Sequence, residues 1–191
     1  MGIRDLVAYW EEVAKTKGFH PVWGGNYLSI LINCILHRFI LRRYLKEGRV
    51  LEIGCGVGRI TRWLAFRRQR HIIGVDISKN MVLRAKYYLK AFENVDLIVA
   101  DVRKLPFRQK SFDQTISVAT LECLECYEDF CMAMRDITYV TKSEITIIEK
   151  PVNVGYILGY FSKQGFRCYI YEGVDPRIVT NFTRKLKPFL K

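Results

Sequence analysis

Long uncharged apolar runs are missing from this 191-residue chain. The apolar stretch 27–41 is interrupted by Asn33, His37 and Arg38, whereas a membrane-spanning helix needs about 20 consecutive apolar residues. Charged residues already lie within residues 1–10, unlike the apolar core of a secretory signal. We therefore expect a cytoplasmic protein without a membrane span.

Paired metal-binding motifs are also missing, although the chain contains six cysteines. Cys123, Cys126 and Cys131 form a C-x-x-C-x₄-C pattern, but no second C-x-x-C or H-x₃₋₅-H follows. The i, i+3 spacing of the first two is also typical of buried helix residues, and free cysteine is commonly buried. The other cysteines are scattered, as expected for reduced thiols in a cytosolic protein. We therefore expect no metal site.

Repeats, low-complexity segments and linkers are absent as well. Half of the residues are hydrophobic, which is enough for a full core at this length. The sequence predicts one domain over residues 1–191, in which an N-terminal helical cap (1–45) precedes a larger core (46–191).

Acidic residues are scarce relative to basic ones, since 19 acids and 31 bases give a net charge of +12. Basic residues gather on one helix face (Arg38, Arg42, Lys46), near a helix end (Arg67, Arg68, Arg70) and at the C-terminus (Arg184, Lys185, Lys187, Lys191). Such an excess favours an anionic partner such as RNA. Basic residues at helix C-termini also complement the helix dipole, so RNA stands as an alternative to a small-molecule substrate.

What the chain does contain is a glycine-rich turn between a predicted strand and a predicted helix. The segment VLEIGCGVGRI (50–60) opens with an apolar run that carries Glu52 and continues with Gly54, Gly56 and Gly58. Apolar residues then recur at helical spacing. Glycine tolerates positive φ and lets a ligand approach the backbone, and amides at a helix start can bind a negative group.

Two further apolar runs end in an acid. HIIGVDIS (71–78) contains Asp76, and NVDLIVADV (94–102) contains Asp101. Open α/β sheets bind ligands at the carboxyl ends of their strands, where these acids and Glu52 would meet. Asp76 could accept from ribose hydroxyls and Asp101 from an adenine amino group. The combination predicts a nucleoside-bearing ligand.

The glycine spacing separates two nucleoside-binding families. The dinucleotide fingerprint places its third glycine three residues after the second, but that position is Arg59 here, which disfavours a nicotinamide dehydrogenase. The pattern E-x-G-x-G-x-G (52–58) instead resembles motif I of the class I S-adenosylmethionine-dependent methyltransferases, with Glu52 in place of the usual Asp.

Other segments resemble the small-molecule and ubiquinone-type (methyltransferase type 11-like) branch of that family. They are ADVRKLPF (100–107) and SFDQTISVATLECL (111–124), and the resemblance covers about residues 45–150. One departure is that TYVTKSE (138–144) replaces the Lys-Pro-Gly-Gly turn expected before the fifth strand. The resemblance implies methyl transfer from S-adenosylmethionine to an undetermined acceptor, with S-adenosylhomocysteine as product.

The fold implied by the resemblance is a Rossmann-like α/β fold, with a seven-stranded, mostly parallel sheet, helices on both faces and an antiparallel C-terminal hairpin at the edge. The sequence predicts helices near 3–15, 26–46, 58–68, 79–91, 125–136 and 152–164, and strands near 49–53, 71–76, 95–100, 112–118, 143–150, 167–174 and 177–187.

The resemblance also implies which residues bind the cofactor. They are Glu52 and Gly58 in the turn, Gly54, Cys55 and Gly56 at the methionine, Asp76 at the ribose, Ile77 and Met81 at the adenine faces, Asp101 and Val102 at its edge, and Val118 and Ala119 with carbonyls for the amino group. Four aromatic residues would form a lid or, alternatively, cover the core: Tyr9, Trp10, Trp23 and Tyr27.

Methyl transfer needs a general base only if the acceptor arrives protonated. Glu122 and Glu125 are weak candidates, because acids near a helix start are more often ordinary residues favoured by the helix dipole. Two other functions stay open: a catalytically silent cofactor-binding module, and a basic RNA-binding protein on the same scaffold. The acceptor and the oligomeric state are left open by the sequence.

Overall fold

A parallel five-stranded sheet forms the centre of the fold. The structure, a computed structural model, describes residues 3–16, 38, 41–42, 44–45, 47–67, 70–124, 126–149, 160, 166–171 and 178–184. The parallel strands are β1 (Gly48–Ile53), β2 (Arg70–Asp76), β3 (Val95–Val99), β4 (Phe112–Val118) and β5 (Thr141–Glu149). They lie in the order β3-β2-β1-β4-β5. This arrangement confirms the predicted Rossmann-like parallel sheet.

Two more strands extend the sheet beyond β5. They are β6 (Phe166–Tyr171) and β7 (Ile178–Arg184). Strand β7 pairs antiparallel with β5, so that Glu149 lies opposite Ile178, and β6 pairs antiparallel with β7 at the edge.

Helices flank the sheet: α1 (Ile3–Thr16), α2 (Arg59–Ala65), α3 (Lys79–Tyr88) and α4 (Tyr127–Val140). Most of the predicted helices 26–46 and 152–164 lie outside the described residues, but positions 38, 41, 42, 44 and 160 are helical. Within the described ranges, no helix is both long enough and apolar enough to cross a membrane.

Helix α4 begins and ends later than predicted. It starts after Cys126, whose sulfur accepts a hydrogen bond from the Asp129 amide at 3.3 Å. It runs to Val140, and β5 follows at once with Thr141. The sequence offers no Gly or Pro at this point to end the helix earlier. The missing Lys-Pro-Gly-Gly turn thus becomes a direct helix-to-strand junction.

Two apolar layers cover the two faces of the sheet. One contains Leu51 and packs against α4 through Met134 and Ile137. The other contains Val50 and packs against α2 through Leu64. Successive strand residues point to opposite faces, so a strand between two layers is apolar almost throughout. Covering both faces leaves the strand ends as the place where ligands can bind.

Candidate functional site: a cleft at the carboxyl ends of the strands

The loop after β1 has a backbone that requires glycine. Gly54 and Gly56 have φ values of +66° and +53°, which L-residues adopt at a cost of roughly 1–2 kcal/mol. A Cβ atom at Gly54 would lie 2.1 Å from the Thr120 Oγ1 atom, whereas one at Gly56 would meet no atom within 4 Å. Gly54 is therefore packed against the end of β4, and Gly56 presents open backbone to the cleft.

The carboxylate of Asp76 is fixed at the end of β2 by two backbone donors. One oxygen accepts from the Gly56 amide at 2.8 Å and the other from the Ser78 amide at 2.9 Å. Burial raises the pKa of Asp76, these hydrogen bonds oppose that rise, and the nearby Glu11 carboxylate adds to it. Each carboxylate oxygen can accept more than one hydrogen bond, so Asp76 can still receive two ligand hydroxyls.

Glu52 is almost completely buried, at 3% exposure, below the same loop. Its Oε2 atom accepts a hydrogen bond from the Thr61 hydroxyl at 2.6 Å. Burial raises the pKa of Glu52 to about 8, against the opposing effects of this hydrogen bond and of the Arg59 charge. A cation beside it would favour the ionised form, so this carboxyl can respond to a positively charged ligand group.

Asp101 has its carboxylate in an ion pair that the sequence analysis missed. Both of its oxygens accept from Arg103, with an Oδ2–Nη2 distance of 2.8 Å. Arg103 is itself 8% exposed and binds Asp129 of α4 through Nη1 at 2.7 Å. This bridge ties the loop after β3 to the start of α4. The only sequence signal for it is the i, i+2 spacing of an acid and a base.

The segment after β4 closes the opposite wall. Ala119 has a φ of +54°, and its amide donates to the Ile148 carbonyl at 2.8 Å. The Thr120 hydroxyl donates to the Ile53 carbonyl at 3.1 Å. The end of β4 is therefore held against the ends of both β1 and β5.

These loops surround one cleft. Every predicted cofactor residue except Gly58 lines it: Glu52, Gly54, Cys55, Gly56, Asp76, Ile77, Met81, Asp101, Val102, Val118 and Ala119. Residues that the sequence analysis had not singled out as site residues also line it, among them Leu6, Arg59, Thr120, Cys123 and Leu124. Burial and the charges of Asp76 and Glu52 raise the pKa of the Cys55 thiol.

Gly58 does not line the cleft and packs against the far side of the loop. A Cβ atom there would lie 2.7 Å from the Leu89 Cδ1 atom. Its φ of +83° places it as the N-cap of α2. Gly58 thus allows α2 and α3 to pack closely, which is a structural role.

Helix α1 covers one side of the cleft. Trp10 lines the cleft, but Tyr9 does not; it is 53% exposed and packs edge-on against Trp10. Glu11 accepts from the Ser78 hydroxyl at 3.2 Å and from the Asn80 amide at 3.3 Å. The other predicted lid residues, Trp23 and Tyr27, lie outside the described residues.

Of the two candidate bases, Glu122 is the one that the structure describes. Glu122 lies in a short 3₁₀ helix, Leu121–Cys123, and does not line the cleft, although its neighbour Cys123 does. Glu125 lies outside the described residues. Among the residues that the structure describes, no group of His, Cys, Asp or Glu is placed to hold a metal ion.

The chain matches known proteins over this region. A family model described as "Methyltransferase domain" matches residues 50–144. The chain is 30% identical over 157 residues to an uncharacterized protein of Methanocaldococcus jannaschii, covering 81% of this chain and 53% of that protein. It is 31% identical over 116 residues to a demethylmenaquinone methyltransferase of Staphylococcus saprophyticus, covering 54% of this chain and 50% of that enzyme.

Solved structures share the fold. A protein of Pyrococcus horikoshii superimposes with a TM-score of 0.72 at 20% identity, covering 87% of this chain and 98% of that one. Together, the strand order, the glycine loop and the matched family model define the class. The chain belongs to the class I S-adenosylmethionine-dependent methyltransferases. It spans about half the length of the two curated relatives above, 53% and 50% respectively.

Proposed function

We propose that this protein transfers the methyl group of S-adenosylmethionine to a small-molecule acceptor by in-line displacement. The observation that carries the proposal is the convergence of Glu52, Asp76 and Asp101 on one cleft beside open glycine backbone. We also infer that the sheet is the full seven-stranded methyltransferase sheet, completed at its edge by the β6–β7 hairpin.

The residues of the cleft fit the parts of this cofactor. Asp76 is oriented to accept from two ribose hydroxyls, because its backbone bonds already fix the carboxylate plane. The open side of Gly56 leaves room for the methionine part. Burial raises the pKa of Glu52 to about 8, and a cationic ammonium or sulfonium group bound above it would favour its ionised form. When bound, the cofactor supplies an activated methyl group.

The adenine would lie between Ile77 and Met81, near Val102. The sequence did not predict that both oxygens of Asp101 also accept hydrogen bonds from Arg103. We propose that its remaining lone pairs accept from the adenine amino group while Arg103 holds the carboxylate in place. Arg103 then acts as a positioning residue.

The part of the cleft that is not assigned to the cofactor supports a small apolar acceptor. Leu6, Trp10 and Leu124 contribute apolar surface. A relative is named as a demethylmenaquinone methyltransferase, and another as a sterol 24-C-methyltransferase. Such transfer depends mainly on aligning the acceptor with the methyl group at about 3–3.5 Å. No base inside the cleft is required if the acceptor arrives as an anion.

Calorimetry with S-adenosylmethionine and S-adenosylhomocysteine tests the cofactor. We expect micromolar binding, which Asp76→Ala weakens about 100-fold, because two charge-assisted hydrogen bonds are lost. The matched control is Asp96→Ala, which removes an exposed carboxylate paired with His71 on the neighbouring strand. If the folded protein binds neither compound, the proposed function is wrong.

A second measurement separates an enzyme from a silent cofactor-binding module. Labelled S-adenosylmethionine is incubated with the protein and a pool of quinols, sterols and other small apolar acceptors. Transfer of label that Asp76→Ala abolishes supports the proposal. Cofactor binding without transfer to any acceptor in small-molecule or RNA pools would favour the silent module.

A further inference from the structure

A second cleft lies outside the cofactor site and is lined by arginine and aromatic side chains. Its volume is about 280 Å³, and its lining residues are Arg42, Leu45, Trp63, Phe66, Arg67 and Arg70. None of the described residues that line it is acidic. It shares no lining residue with the cofactor cleft.

The second cleft lies at the amino edge of the sheet. Arg70 is the first residue of β2, whereas Asp76 at the cofactor cleft is the last. Helix α2 connects the two edges: it begins next to Gly58 and ends just before Phe66. Its seven residues give a length of about 10 Å. A ligand in the second cleft is therefore separated from the cofactor by the length of this helix.

Tertiary structure brings together basic clusters that are distant in sequence. Arg42 belongs to the predicted helix 26–46, whereas Arg67 and Arg70 follow α2. Arg70 is only 6% exposed. Burial and the Arg67 charge lower its pKa from the ordinary value, and the Glu47 charge acts in the opposite direction. An anion placed among these guanidinium groups would reduce their mutual repulsion.

Aromatic surface lies beside the positive charge. Phe66 is 61% exposed at the cleft. The Arg62 guanidinium lies 5.1 Å from the Phe66 ring centroid and 5.4 Å from that of Tyr88. The Phe92 ring meets Phe66 edge-on at 5.4 Å. These contacts hold Phe66 in place at the rim of the cleft. Alternating aromatic and basic side chains are the arrangement with which proteins bind single strands of nucleic acid.

We propose that this cleft binds one nucleotide unit of a single-stranded nucleic acid, with the phosphate among Arg42, Arg67 and Arg70 and the base against Phe66. The net charge of +12 favours a polyanion over a free nucleotide. The inference does not depend on the proposed methyl transfer.

Fluorescence anisotropy with a labelled oligouridylate tests the proposal. We expect Arg67→Glu to weaken binding at least about tenfold, since it replaces a phosphate contact by repulsion. Arg135→Glu is the matched control, because it changes the net charge equally on α4, where Arg135 is 68% exposed. Arg67→Gln should lower the slope of log K against log salt by about 0.7.

The aromatic part of the proposal has its own pair of variants. Phe66→Ala should weaken the oligonucleotide about fivefold or more, because base stacking contributes roughly 1–3 kcal/mol. Tyr127→Ala removes an equally exposed ring (58% against 61%) from the start of α4 and should have no effect. Calorimetry with S-adenosylmethionine on all five variants checks that the cofactor site is intact.

Three outcomes would overturn the proposal. In the first, the oligonucleotide does not bind. In the second, Arg67→Glu and Arg135→Glu weaken oligonucleotide binding equally, so that net charge alone accounts for it. In the third, free AMP displaces the labelled oligonucleotide as effectively as unlabelled oligonucleotide does, which would assign the cleft to a free nucleotide. Loss of oligonucleotide binding with intact cofactor binding, together with weak competition by AMP, supports it. Failure of the cofactor experiment leaves this result unaffected.

Discussion

The two edges of the sheet carry opposite chemistry on the same strands. At the carboxyl edge, the buried Glu52 and the partly buried Asp76 lie beside glycine backbone. At the amino edge, Arg67, Arg70 and Arg42 line a cleft. Strand β2 begins at one edge and ends at the other; its seven residues span about 20 Å. The direction of the parallel strands therefore separates an acidic site from a basic one.

The edges also differ in how their charges are held. Asp76 is fixed by two backbone amides and Asp101 by a forked pair with Arg103, so the acids are oriented before any ligand arrives. At the amino edge, burial and the nearby Arg67 charge lower the pKa of Arg70. The first edge resembles a preorganised site, whereas the second gains most from an external anion.

The largest expected effect tests whether the carboxyl edge depends on glycine packing. Gly54→Ala would place a Cβ atom 2.1 Å from Thr120 Oγ1, so we expect a loss of at least about 4 kcal/mol in the free energy of unfolding. Gly56→Ala meets no atom and should lose only about 1 kcal/mol. Urea denaturation measures both, and equal losses would refute the packing argument.

A pH titration tests the buried acid of the same edge. The pKa of Glu52 is raised from 4.5 to about 8 in the folded protein, so the folded state keeps a proton that the unfolded chain releases. This contribution to stability is fully present below about pH 4.5 and is lost as the pH rises through about 8. We expect Glu52→Gln to remove this dependence, a few kcal/mol in total.

Denaturation at several pH values follows this effect, with Glu93→Gln, an exposed acid, as the control that should leave the dependence unchanged. Whereas the stability contribution of Glu52 falls as the pH rises, cofactor affinity should increase. A cationic ligand favours ionised Glu52, so wild-type affinity should rise with pH up to about 8, whereas Glu52→Gln should show no such rise. A parallel profile for both proteins would contradict the role of this carboxyl.

A smaller loss of stability is expected when Arg103, which lies among the acids of the carboxyl edge, is replaced. Arg103→Leu removes the bridge between Asp101 and Asp129 and should cost about 2 kcal/mol of unfolding free energy. It should also weaken cofactor binding, since Asp101 is no longer held. Asp129→Asn alone should reduce stability with little change in affinity. If both variants reduce affinity equally, the positioning role of Arg103 is wrong.

The sequence predicted the strand ends well because they depend on local pattern. An apolar run that stops at an acid marks both the strand and its carboxyl edge, which is why the sequence alone predicts that Glu52, Asp76 and Asp101 lie at that edge. The glycine spacing likewise separated the family from dinucleotide-binding proteins. Each of these signals lies within about ten residues of chain, where period and turn chemistry dominate.

The contacts that were missed join distant segments. Gly54 meets Thr120, Glu11 binds Ser78, and Arg103 reaches Asp129. Each pair depends on how whole elements pack, which short-range pattern does not specify. The basic cleft shows the same limit, since Arg42 and Arg70 appeared as separate clusters until tertiary structure brought them together.

The smallest expected effect concerns residues other than glycine with positive φ, one at each edge of the sheet. Ala119, at the cofactor cleft, and Lys110, in the turn before β4 at the amino edge, have positive φ values of 54° and 51°. Replacing either by Gly relieves the left-handed conformation but adds freedom to the unfolded chain, so we expect each to gain at most about 1 kcal/mol in unfolding free energy. Only Ala119→Gly should also weaken cofactor binding, about two- to threefold, because it loosens backbone that lines the cleft. Denaturation and calorimetry on the two variants separate these effects. If Lys110→Gly changed affinity as much, the positive φ of Ala119 would have no special connection to the site, and strain at the carboxyl edge would be incidental to binding.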